Sequence, residues 1–116
     1  MDFDGLSFTM SIKITKGDKV FGPGIAELLE NVEQYESLNK ATAQMGMAYS
    51  KAWRIVKSAE GKLGVSLLKR KIGGSGGGGA VLTEEGKYFL NTYRKFVEEA
   101  NTQVEKVFEE YFGDKK

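Results

Sequence analysis

Apolar and polar side chains alternate from Ser7 to Ile14, with Phe8, Met10, Ile12 and Ile14 on one side and Ser7, Thr9, Ser11 and Lys13 on the other. A period of two predicts a half-buried strand. The pattern changes at Gly22-Pro23-Gly24, where a proline suited to a first helical turn precedes Ile25, Leu28, Leu29 and Val32, so a helix is expected to about Tyr35. Ser37 or Asn39 can cap a short second helix, Lys40 to Met45, which Gly46 can end by taking the left-handed conformation. A third helix follows from Ala48 to Leu63. In it Ala52, Trp53, Val56 and Ala59 recur at core spacing, and Ser50, Lys51, Arg54, Lys57 and Ser58 recur on the opposite face. That spacing puts the lone tryptophan on the core side rather than in a base-stacking role.

The basic run Lys69-Arg70-Lys71-Ile72, the glycine-dominated Gly73 to Gly79 and the returning Ala80-Val81-Leu82 predict a β-hairpin with a slender tip. Thr83 can cap a last helix whose first turn carries Glu84 and Glu85, the sign that suits a positive helix end. Leu90, Tyr93, Val97, Ala100, Val104, Val107 and Tyr111 then follow spacings of three and four, a heptad seam widened by Phe89, Phe96, Phe108 and Phe112. A helix from Glu84 to Phe112 would be about 43 Å long, more than a domain of this size covers by itself. The seam is therefore expected to pair with a second copy, against the plainer reading of a monomer whose long helix crosses its own core. The fold expected is α+β, mainly α: a winged helix-turn-helix with an N-terminal strand, a hairpin wing and a long dimerisation helix. Residues 1–83 would form the winged domain and residues 84–116 its C-terminal helix.

Composition narrows the chemistry. The chain has 116 residues and neither cysteine nor histidine, which removes disulfides, thiol nucleophiles, the usual zinc sites and imidazole acid/base catalysis. No metal, cofactor or small-molecule effector is expected. The N-terminus lacks the pattern of a signal peptide, and no apolar run approaches the roughly 18 residues of a membrane span, so a cytoplasmic protein without membrane contact is expected. The formal net charge of +1 hides an uneven distribution: −4 over residues 1–39, +7 over residues 40–71 and −2 over residues 84–116. A basic stretch in the helix-turn-helix and the first wing strand is the electrostatic footprint of a phosphate-binding face, although solvated surface lysines would give the same count.

The glycine run invites two other readings, and both fail. Gly74-x-Gly76-x-x-Gly79 matches a dinucleotide fingerprint only in form, because Ala80-Val81-Leu82 follows where a helix N-terminus should receive the pyrophosphate. No Gly-Lys-Ser/Thr closes the run as a phosphate-binding P-loop would.

Gly46-Met47-Ala48-Tyr49-Ser50-Lys51-Ala52-Trp53, and above all Gly73 to Thr83 with Gly86, resemble the N-terminal DNA-binding domain of the ModE-type, molybdate-responsive regulators, itself similar to the winged helices of LysR-type regulators. The resemblance spans about Ser7 to Tyr111. It implies a third helix in the major groove, a wing on the flanking backbone or minor groove, and a homodimer formed through the first strand region and the last helix on double-stranded DNA with a two-fold symmetric site. Carried over, Tyr49, Ser50, Lys51 and Arg54 are the base-reading candidates and Lys40, Lys57, Lys69, Arg70 and Lys71 the phosphate candidates. Gly74, Ser75 and Gly76 form the wing tip. Two departures stand out. Ala48 replaces a capping residue, and the two small β domains that bind molybdate in the resembled regulators have no counterpart here, so either a naturally short member or a fragment of a longer chain is expected. A rival from another class is a winged helix serving protein assembly through its acidic last helix. A carboxylate enzyme using Glu98, Glu99, Glu105, Glu109 or Glu110 is a third, with no evident pocket.

Overall fold

Phe21 sets the centre of the fold. Its ring is fully buried and meets Phe89 edge-on at 4.8 Å and Tyr93 at 5.0 Å, tying the N-terminal third of the chain to the last helix. The computed structural model describes residues 1–71 and 79–113. In chain order these form β1 (Ile14–Lys16), β2 (Asp18–Phe21), α1 (Pro23–Tyr35), α2 (Leu38–Met45), α3 (Tyr49–Leu63), β3 (Leu68–Arg70), β4 (Ala80–Leu82) and α4 (Glu84–Phe112). Around Phe21 the core gathers Leu28, Leu29 and Val32 of α1, Leu38 of α2, Val56 of α3, Leu67 beside β3 and Leu90 of α4. The outcome is the expected mainly helical winged helix with two small antiparallel sheets.

The N-terminal strand lies later and is shorter than the alternation predicts. Residues 7–13 find no strand partner, while β1 pairs with β2 across a turn at Gly17, whose φ is 75°. The alternation still has a physical meaning, since Phe8, Met10, Ile12 and Ile14 are the half-buried positions of this stretch. Ile14 enters the β1 ladder opposite Phe21, while the stretch before it lies along α4: Phe3 packs on Phe112 at 5.4 Å, Phe8 on Phe108 at 5.2 Å, and the Tyr93 hydroxyl donates to the Ile12 carbonyl at 2.7 Å. Burial raises the Tyr93 pKa above its ordinary value.

The helix-turn-helix follows its sequence signals closely. Of the two capping candidates Ser37 is the one used, its hydroxyl accepting from the Lys40 amide at 3.1 Å, so α2 starts at Leu38. Gly46, at φ 64°, ends α2, and the Met47 amide bonds the Thr42 carbonyl. Ala48 offers α3 no side-chain cap. The hairpin strand is displaced by one residue from the basic run, as Leu68 pairs with Leu82, Lys69 with Val81 and Arg70 with Ala80. Lys71 has left the strand, and Ile72 lies outside the described residues. Thr83 caps α4 by accepting from the Gly86 amide at 2.9 Å.

Two helical glycines should respond oppositely to alanine. Gly86 lets the first turn of α4 lie against the Leu67 carbonyl, and a Cβ there would press into that backbone oxygen, whereas a Cβ at Gly61 in α3 meets only open space. Gly86→Ala should cost about 1–3 kcal/mol through overpacking, and Gly61→Ala should gain about 0.5–1 kcal/mol through helix propensity. Urea unfolding of the two variants should move the midpoint in opposite directions.

Candidate nucleic-acid interface

Helix α3 presents one charged face because its core positions are fixed by Ala52, Val56 and Ala59, all buried. Tyr49, Ser50, Lys51, Arg54, Lys57 and Ser58 are all exposed. Trp53 is half-buried against the core, edge-on to Tyr49 at 6.3 Å, with the Lys57 ammonium 5.2 Å from its ring centre. It serves as a platform for its neighbours more than as a fully enclosed core residue.

The cations of this region divide by their partners. Lys57 pairs with Glu60 at 3.3 Å, and Lys71 pairs with the Glu36 carboxylate. Lys40, Lys51, Arg54, Lys69 and Arg70 are exposed with no carboxylate within salt-bridge distance among the described residues. Lys69 and Arg70 are successive strand residues and project to opposite sides of the ribbon. Gly74, Ser75 and Gly76, the expected wing tip, lie outside the described residues. Such an array suits phosphates and base edges, where guanidinium and ammonium groups exchange counterions for backbone oxygens.

Two features hold the ribbon against the helices, and sequence reading missed both. The Glu60 carboxylate, nearly buried, accepts the backbone N–H of Leu67 at 2.7 Å and of Leu68 at 3.4 Å while holding Lys57. As the only acid in residues 40–71 it was visible in the sequence, but nothing there says that it faces backward onto the ribbon. On the other strand, Glu36 takes the left-handed conformation at the end of α1, and its carbonyl accepts the Ala80 amide at 3.2 Å. A third missed residue is Lys19 of β2, which shares a cleft with Lys51 and Arg54. Lys62 holds that hairpin to α3, bonding the Lys19 carbonyl at 2.9 Å and Asp18 at 3.5 Å. The Asp18 carboxyl is pulled below its usual pKa, first by the Lys19 amide and then by the Lys62 charge.

The expected dimer seam is split. Leu90 and Tyr93 are buried in the core of their own chain and Val97 packs beside it, whereas Ala100 and Val104 are half-buried and Val107 and Tyr111 are exposed. Among the described residues no cluster of carboxylates could hold a metal, and no helix is long and apolar enough to cross a membrane.

Comparison with known proteins agrees with this geometry. A family model described as bacterial regulatory helix-turn-helix protein, lysR family, matches residues 26–87, just over half of the chain. A protein named Molybdenum transport protein ModE from Herbaspirillum seropedicae is 34% identical over 68 residues, covering 59% of this chain and 25% of that protein. The DNA-binding transcriptional dual regulator ModE of Escherichia coli (strain K12) is 31% identical over 71 residues, 61% of this chain and 27% of its own length. The chain thus spans about a quarter of the length of these relatives. Among solved structures, the CbnR_DBD–DNA complex superposes with a TM-score of 0.57 at 23% identity, covering 72% of this chain and 91% of that one. The BenM_DBD/catB site 1 DNA complex gives 0.57 at 22%, covering 79% and 97%. At those identities the structural likeness establishes the fold.

The Glu60 brace makes a prediction of its own. Glu60→Ala leaves the Leu67 N–H buried without an acceptor, which should cost about 1–3 kcal/mol. Hydrogen exchange should rise at the Leu67 and Leu68 amides before the rest of α3 is affected; unchanged protection there would refute the brace.

Proposed function

Because the chain belongs to the bacterial regulatory helix-turn-helix proteins of the lysR family, we propose that it is a sequence-specific DNA-binding regulator of transcription that grips a two-fold symmetric site as a homodimer. The observation that carries this reading is the set of exposed cations with no carboxylate partner among the described residues: Lys51 and Arg54 on α3, and Lys69 and Arg70 on the ribbon that Glu60 ties to it. Affinity then comes from lysine and arginine displacing counterions, and discrimination from Tyr49, Ser50, Lys51 and Arg54 in the major groove. Arg54 is the residue assigned a bidentate contact to guanine. Lys40, Lys57, Lys69, Arg70 and Lys71 take phosphates, which requires Lys57 and Lys71 to exchange a carboxylate for a phosphate oxygen. The wing tip at Gly74, Ser75 and Gly76 completes the contact.

Residues 1–83 are the DNA-binding unit in this reading and residues 84–116 carry dimerisation. The chain's own core already covers Leu90 and Tyr93, so the surface left for a second copy is the outer part of α4, from Val97 through Ala100, Val104 and Val107 to Tyr111. Phe96, Val107 and Tyr111 expose 49%, 51% and 66% of their surface, an apolar strip at helical spacing that favours association. Two recognition helices related by a two-fold axis would address half-sites about 34 Å apart, or a multiple of that distance.

For about six phosphate contacts, log affinity against log salt should fall with a slope near −5, about 0.9 per contact. Arg54→Ala should cost about 1–3 kcal/mol and relax preference at one base pair, whereas Lys69→Ala should weaken all sequences alike. Salt-independent binding, or none at low salt, would instead favour a protein-assembly module. Val107→Glu should turn the dimer into a monomer in sedimentation and lower affinity for a palindromic site steeply; a variant that still dimerises would refute the α4 seam.

A further inference from the structure

The cleft between β2, the start of α1 and α3 sets Lys19, from the acidic N-terminal third, beside Lys51 and Arg54 of α3, which lie 32 and 35 residues further along the sequence. The space measures about 530 Å³. Its wall is apolar, formed by Val20, Ile25, Met47 and Ile55. None of the three cations has a carboxylate within salt-bridge distance among the described residues. The nearest acid in sequence, Asp18, is already held by Lys62 and the Lys19 amide. The Lys19 side chain lies over Gly22, at the positive end of α1, whose first turn has neither an acidic residue nor a side-chain cap. Three cations lining one cleft with no counter-charge among the described residues make a positive surface that attracts an anionic strand.

We infer that Lys19 takes a sugar-phosphate unit of the DNA backbone at this cleft while Lys51 and Arg54, on its α3 side, address the bases, so that the β1–β2 hairpin is a second grip on the duplex besides the β3–β4 ribbon. The inference rests on the DNA-binding reading above. The shared chemistry is a tetrahedral oxyanion, but the apolar wall selects between sources. A free inorganic ion has no use for Val20, Ile25, Met47 and Ile55, whereas a nucleic-acid strand brings each phosphate flanked by largely apolar deoxyribose edges. Lys62, by fastening the hairpin to α3 through the Lys19 carbonyl, fixes the distance between the two sides of the cleft.

The test uses the full chain and a random-sequence duplex, with anisotropy measured across a salt series. Lys19→Gln should weaken binding about three- to tenfold, equally for any sequence, and reduce the salt slope by ~0.9 for each cleft in contact. Lys16→Gln is the control on the same hairpin, because the Lys16 ammonium bonds the Lys62 carbonyl away from the cleft, and it should bind as wild type does. A Lys19→Gln protein with wild-type affinity and slope would overturn the inference while leaving the DNA reading in place. A wild-type protein that fails to bind any duplex would overturn the DNA reading itself. Inorganic phosphate, titrated at constant ionic strength and followed at the Gly24 and Ile25 amides, should give no saturable shift; saturation would assign the cleft to a free oxyanion and overturn the backbone assignment.

Discussion

The Glu60 carboxylate governs the geometry on which any grip on a duplex depends. A recognition helix and a wing can address one DNA molecule only if their relative position survives thermal motion, and here the ribbon is only three residues per strand, too short to stiffen itself. Glu60 converts it into an extension of α3. One oxygen takes the two amides where β3 begins and the other holds Lys57, so the face of the helix and the root of the wing share a single charged group. Charge-assisted bonds of this kind are stronger than neutral ones, and burial of the acid makes their loss expensive. The Glu36 carbonyl fixes β4 in the same way from the other side. The conformation it needs is left-handed, costly for a residue with a Cβ and tolerated because α1 and the ribbon both depend on it.

Helices and caps were legible in the sequence because their signals are local. Pro23, Ser37, Gly46 and Thr83 each act within one turn, and the structure uses each as expected. The strands were less legible for a physical reason. Period two reports that one side of an extended segment faces apolar surface, and it says nothing about whether that surface is a sheet or a helix. Residues 7–13 satisfy the alternation against α4, while the β1–β2 pair carries almost no pattern because it is short and turns at Gly17. The β2 strand went unrecognised, and with it Lys19. A charge count by segment assigned that lysine to an acidic third of the chain, but topology sets it beside α3. Proximity between elements distant in sequence is the kind of information that composition averages away.

The distribution of ion pairs sorts the surface into structural and available charge. Arg94 bonds Glu30 at 3.2 Å and Glu33 at 3.7 Å, fastening α4 to α1, and Lys62 fastens the first hairpin to α3. Exposed pairs contribute little to stability individually, yet they determine which cations remain free for a partner. Among the described residues, Lys51 and Arg54 on α3, Lys69 and Arg70 on β3, Lys40 at the start of α2 and Lys19 on β2 stay without a carboxylate, while the nearby acids Asp18, Glu36 and Glu60 are held by Lys62, Lys71 and Lys57. The positive face therefore survives on a protein of nearly neutral net charge.

The long last helix carries a further constraint. Leu90 and Tyr93 belong to the core, so the first half of α4 cannot leave its own domain without exposing Phe21. Its second half projects beyond that core, giving the described chain an extent of 62 Å along its longest axis. There the N-terminal segment covers one flank through Phe3 and Phe8, which pack on Phe112 and Phe108. A single extended segment covers one side of a helix, where Phe108 is half-buried, and it leaves the side bearing Phe96, Val107 and Tyr111 in water. Continuous heptad spacing thus conceals two jobs. The first positions are fixed by intramolecular packing, and only the later ones are free to meet a second surface. A partner docking there would sense the orientation of the whole domain, because the same rigid helix runs from its binding strip into the ring cluster around Phe21.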